Sequence, residues 1–242
     1  MQGTLMRRKY DKEIWPDARS FPFCEMKSQK LTIQVSASLG SVSGELLANE
    51  AMSFFYVLAH GAGAGMNHPF MLNLSSSLAE LGIGTLRYNF PYMEKGGKRP
   101  DAAAIAEKTV KGAIAVAHEL FPGVPLLAGG KSFGGRMTSQ ALSRESHPAV
   151  RGIVFAGFPL HPPGSPGTAR AEHLANVDIP MLFLQGTRDA LAKINLVEEV
   201  CAGLKSCSLV KFEGADHSFR AGKQDIIPQL ADAIRKWATA LA

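Results

Sequence analysis

The chain has 242 residues, 46% hydrophobic and 19% charged, with a formal charge of +5; this suits one sizeable core and excludes a wholly disordered polypeptide. No apolar run approaches the ~18 residues of a membrane span, and the charged start (Arg7, Arg8, Lys9, Asp11, Lys12, Glu13) has no apolar leader, which argues against a membrane protein and a Sec-secreted one. Three scattered cysteines, Cys24, Cys201 and Cys207, are too few for a disulfide framework or a four-ligand zinc site, so a reducing compartment, the cytoplasm, is expected.

Residues 1–29 mix charge with Pro16 and Pro22 and show no period; they read as an N-terminal extension to a domain over residues 30–242. Residues 31–37 alternate apolar and polar, as a half-buried strand does, and 43–47 supply a hairpin partner. Residues 53–59 form an unbroken apolar run, which places that strand inside a sheet covered on both faces. Further short apolar runs follow at 83–90, 124–129, 150–158 and 180–185, with a weaker one at Cys207–Phe212. Helical segments are expected between and after them at 70–81, 102–120, 135–144, 195–204 and 226–241. This alternation predicts βαβ units, hence an α/β fold. It is a three-layer α/β/α sandwich on a mostly parallel sheet of about 7–8 strands, the first two antiparallel. The segment after the 150–158 strand is short and rich in Pro and Gly, so no large lid domain is expected and the site should be open.

Charge says little about partners. The basic clusters Arg7-Arg8-Lys9 and Lys95 to Arg99 form no stripe interleaved with aromatics, and no nucleic-acid-binding motif accompanies them. Gly61 to Gly65 is like a phosphate loop but has neither a Lys-Ser/Thr ending nor a G-x-G-x-x-G string, so nucleotide binding is set aside.

Gly130-Lys131-Ser132-Phe133-Gly134 matches G-x-S-x-G, and it falls between an apolar run and a helical segment, the strand, sharp turn and helix of a nucleophile elbow. The turn is so tight that the flanking positions need glycine. A serine hydroxyl needs a base near neutral pH. His217 follows the last strand, and Asp189 follows the strand before it, so both fall at the sheet edge where Ser132 points. The base competes with six other histidines, of which His118 and His173 are read as helical and His60 starts a small-residue loop. The acid competes with Asp216, beside the histidine, and Asp101, placed to cap a helix. Ser132, Asp189 and His217 are the preferred set. Oxyanion donors are expected from the backbone N–H groups of Phe133 and of Ala62, with Gly63 as the alternative to Ala62. Arg87, Lys131 and Arg136 are candidate cations for an anionic substrate, the alternative being structural hydrogen bonds. Phe90 to Met93 either line a pocket or simply pack.

On these residues the chain resembles the α/β-hydrolases. The matching stretches are His60-Gly-Ala-Gly, Arg87-Tyr-Asn-Phe-Pro-Tyr92, Gly130-Lys-Ser-Phe-Gly-Gly-Arg136, Gly186-Thr-Arg-Asp189 and Gly214-Ala-Asp-His217. More narrowly it resembles the group that includes testis-expressed and non-specific-lethal-complex subunits. It is also similar to dienelactone hydrolases, which carry cysteine where this chain has Ser132. The resemblance implies hydrolysis through an acyl-enzyme with no metal or organic cofactor. A small-molecule ester or thioester is the expected partner, with no nucleic acid or membrane. Two rival readings are an interaction module with the same fold and acyl transfer to an alcohol or amine.

Overall fold

The computed structural model describes residues 27–49 and 51–241. The eight strands are β1 (Lys27–Ser36), β2 (Gly40–Ala48), β3 (Phe54–Ala59), β4 (Ile83–Tyr88), β5 (Leu126–Lys131), β6 (Val150–Ala156), β7 (Met181–Gly186) and β8 (Cys207–Phe212). They form one sheet in the order β1-β2-β4-β3-β5-β6-β7-β8. β1/β2 and β2/β4 are antiparallel and every other pair is parallel.

The helices are α1 (Pro69–Glu80), α2 (Pro91–Glu94), α3 (Ala103–Leu120), α4 (Phe133–Arg144), α5 (Ile194–Ala202) and α6 (Ile227–Thr239), with a 3₁₀ segment at Ala169–Asn176. Residues of β3 alternate between two cores: Phe55, Val57 and Ala59 face the α3, α4 and α5 side, while Phe54, Tyr56 and Leu58 face α1 and α6. That double burial is why the run is apolar throughout.

β1 begins at Lys27, so Lys27, Ser28 and Gln29, expected in the extension, pair with Ala48, Leu47 and Leu46. Edge pairing is made by the backbone, and these three polar side chains, none of them buried, carry no apolar alternation that would reveal it. Residues 1–26, and Cys24 with them, lie outside the described residues. Only a short loop and the 3₁₀ segment separate β6 from β7, and no lid domain is inserted there.

β3 lies between β4 and β5, so the chain leaves it in both directions along the sheet. Beyond the carboxyl ends of strands at such a switch point a crevice opens, and ligands bind there in open α/β sheets.

Candidate active site

The crevice is built first by Ser132. It caps α4 immediately after β5, with φ 50° and ψ −114°. A non-glycine residue held at positive φ is strained, and the surrounding structure must impose it. Here the imposition is close packing: a Cβ on Gly134 would lie 2.5 Å from the Ala59 carbonyl oxygen and 2.6 Å from that of His60. The strand and the helix therefore pinch the serine outward.

His217 comes from the loop after β8. Asp216 Oδ1 accepts the Ser218 N–H at 2.8 Å and the Arg220 N–H at 2.9 Å, closing this loop on itself. Asp216 is thus a loop brace. Asp189 comes from the turn after β7, with its carboxylate fully buried. Its Oδ1 accepts the Leu191 N–H at 2.7 Å, and its Oδ2 accepts Gln185 Nε2 at 2.6 Å.

The three side chains meet. His217 Nδ1 lies 2.7 Å from Asp189 Oδ2, and His217 Nε2 lies 2.8 Å from Ser132 Oγ. A carboxylate only accepts, so Nδ1 carries the proton and Nε2 of the neutral ring accepts from the serine hydroxyl. Two of the competing histidines and one of the competing acids make their contacts away from this line. His118 packs edge-on against His147, and His173 Nε2 bonds Ser139 Oγ at 2.7 Å on the flank of α4. Asp101 accepts the Tyr92 N–H at 3.0 Å, a capping role on α2 instead of α3.

The loop after β3 borders the serine. His60 is buried; its Nδ1 lies 2.7 Å from Gly61 O, and its Nε2 accepts the Phe90 N–H at 3.2 Å. Burial pushes its pKa down, so it stays neutral and holds the loop. Gly63 N–H donates to Tyr92 Oη at 2.9 Å. Among the described residues no acceptor is recorded for the Ala62 N–H. Phe133, the first residue of α4, has an N–H with no partner in its own helix.

A cavity of about 310 Å³ opens on Ser132 and His217; its apolar wall is Phe70, Met71 and Leu191. Phe90 is packed against His60, Tyr88 and Phe133, so the 90–93 run serves the loop and the core. Of the three candidate cations, Arg87 is buried and bonded to Glu45 at 3.2 Å and to Met66 O at 2.8 Å. Arg136 does not line the cavity; burial and the nearby Arg170 charge both depress its pKa. Lys131 does line it, but its Nζ donates to the His217 carbonyl at 2.6 Å. Their charges therefore form no common anion site in the cavity.

Gln185 was not singled out by sequence reasoning. Its Oε1 accepts the Phe158 N–H at 3.0 Å while its amide holds Asp189. One signal was present: a polar residue at the penultimate position of a fully buried strand. Asn89 was likewise missed; its Oδ1 accepts the Met66 N–H at 2.8 Å and steadies the far end of the His60 loop. Among the described residues no three His, Cys, Asp or Glu side chains cluster as a metal site, and no helix is long and apolar enough to cross a membrane.

A family model described as an alpha/beta hydrolase domain matches residues 53–241. Solved structures share the architecture at low identity. A dienelactone hydrolase from Anabaena variabilis is 18% identical, with a TM-score of 0.74 over 89% of this chain and 98% of that one. Est1E from Butyrivibrio proteoclasticus is 14% identical, with a TM-score of 0.68 over 88% and 98%. XC6422 from Xanthomonas campestris, described as a serine hydrolase without a lid, is 18% identical, with a TM-score of 0.69 over 87% and 95%.

Proposed function

Because the chain belongs to the α/β-hydrolase family, we propose that it is a serine hydrolase that cleaves small or polar carboxylic esters or thioesters through an acyl-enzyme on Ser132. The observation that carries this reading is the unbroken line from Ser132 Oγ through His217 to Asp189, with contacts of 2.8 and 2.7 Å. Ser132 Oγ attacks the carbonyl carbon as His217 Nε2 takes its proton. Asp189 fixes the tautomer and stabilises the imidazolium. The N–H groups of Phe133 and Ala62 receive the oxyanion, Gly63 being committed to Tyr92. His217 then protonates the leaving alcohol or thiol, and water, activated by the same ring, releases the acid.

Substrate size follows from the walls. A cavity of about 310 Å³ is near the lower end for small-molecule sites, and without a lid there is little surface to clamp a long acyl chain. Strong preference for long-chain triglycerides in a chain-length series contradicts this part.

A fluorophosphonate probe tests the core of the reading. Labelling at Ser132 that disappears in Ser132→Ala is expected. Ester turnover in that variant should fall ~10⁴-fold or more while the fold persists. An unlabelled wild-type protein returns the interaction-module reading. Product analysis with added alcohols or amines separates hydrolysis from acyl transfer.

A further inference from the structure

Lys131 sits immediately before the nucleophile, yet its cation is used inward. Its Nζ donates to the His217 carbonyl oxygen at 2.6 Å. It also lies 5.8 Å from the ring centre of Phe70 and 5.5 Å from that of Phe219. Those two rings are themselves stacked, with centres 5.9 Å apart. Cations over aromatic faces gain most when desolvated. A Cβ on Gly157 would come within 3.1 Å of this Nζ and 3.6 Å of His217 Nδ1, so the missing side chain leaves the space in which the ammonium and the imidazole lie side by side.

The contact matters because of where it acts. The loop after β8 is braced internally by Asp216, and Phe219 within it is held at φ 61°. Lys131 bonds this loop from the last position of β5, immediately before Ser132. It thus connects the base-bearing segment to the nucleophile-bearing one independently of the imidazole's own hydrogen bonds.

We propose that Lys131 is a positioning residue for Ser132 chemistry, its ammonium gripping the His217 carbonyl so that the imidazole stays between Ser132 and Asp189. This rests on the hydrolase reading above. The charged and titratable groups facing it are Asp189 from the loop after β7, Asp216 and His217 from the loop after β8, and His68 across the cavity at the start of α1; after β6 comes Gly157, which has no side chain. Burial pushes the ammonium pKa down to about 8 against the pull of the two aspartates. The grip is therefore strongest below that pH and weakens above it.

The test compares wild type with Lys131→Met, using p-nitrophenyl acetate as the probe. Activity is followed together with hydrogen exchange of segment 213–220. In the variant, kcat should fall about tenfold or more with KM little changed, as expected for a misplaced base, and segment 213–220 should exchange faster. Wild-type kcat should decline above about pH 8, and the variant should lack that limb. Unchanged kcat in a folded variant, or a loss confined to KM, overturns the proposal, the latter making Lys131 a substrate contact. Unchanged exchange overturns the tie itself. Should Lys131→Met fail to fold, Lys131→Gln, which keeps a polar end but no ammonium, is read the same way: unchanged kcat or unchanged exchange of segment 213–220 refutes the proposal. Absence of wild-type turnover refutes the hydrolase reading and the catalytic half of this inference, with the exchange result deciding the tie.

Discussion

A Cβ on Gly130 would lie 2.0 Å from the Ala59 carbonyl oxygen. The two residues face each other across β5 and β3, so the conflict is between a side chain and backbone, and no rotamer relieves it. The φ of Gly130, 150°, is also one that L-residues rarely adopt. This contact fixes the distance between the strand that ends at the nucleophile and the strand that launches the His60 loop. Gly130→Ala should therefore cost more than ~4 kcal/mol, the range of core overpacking combined with backbone strain. Denaturant unfolding checks this; a wild-type midpoint in the variant rejects the argument.

Asp189→Asn isolates the tautomer. The amide oxygen can still accept the Leu191 N–H, but its NH₂ then faces the Gln185 amide and His217 Nδ1. To accept from that NH₂, Nδ1 must give up its proton, and Nε2 becomes a donor unable to take the serine proton. kcat should drop by about 10³–10⁴ with KM and the circular dichroism spectrum nearly unchanged. A loss of less than about tenfold would mean that the carboxylate does not orient the ring.

The layered fold and the meeting of Ser132, Asp189 and His217 were legible because each depends on pattern. Apolar runs mark strands buried on both faces, and loops after parallel strands share one edge. What escaped depends on side-chain direction. Lys131 directly precedes Ser132 and Arg87 lies on β4, but pattern does not say that Arg87 turns to Glu45 and Lys131 to the His217 carbonyl. Tyr92 and Asn89 hold the His60 loop through single polar atoms, and nothing in spacing distinguishes such a clamp from packing. The start of β1 was also illegible, since Lys27 to Gln29 pair through backbone with polar side chains on both faces.

Tyr92→Phe tests the clamp on the loop proposed to carry the oxyanion donor. It deletes the acceptor of the Gly63 N–H and leaves the ring that packs against His60. Losing one such hydrogen bond should cost about 1 kcal/mol of stability. kcat should fall by roughly tenfold, less than the 10²–10³ expected for removing a donor outright, because the Ala62 N–H is loosened and not removed. Steady-state kinetics beside thermal unfolding would check both; full activity in a destabilised variant would confine Tyr92 to a structural role.

A half-buried His173 and a buried His60 with lowered pKa values should make the fold acid-sensitive. Burial, then the Arg136 charge, pushes the pKa of His173 down to about 4, while its ring stays bonded to Ser139. Burial lowers His60 as well. A histidine whose folded value lies below its unfolded value of about 6.5 binds protons more readily when unfolded. Its contribution is therefore fully present above about pH 6.5 and is lost progressively as the pH falls toward the folded value, about 4 for His173. The melting temperature should be level near neutrality and decline through that window. His173→Gln, which can still bond Ser139 but does not titrate, should decline less steeply. Equal slopes for the two proteins would assign the acid sensitivity to other groups.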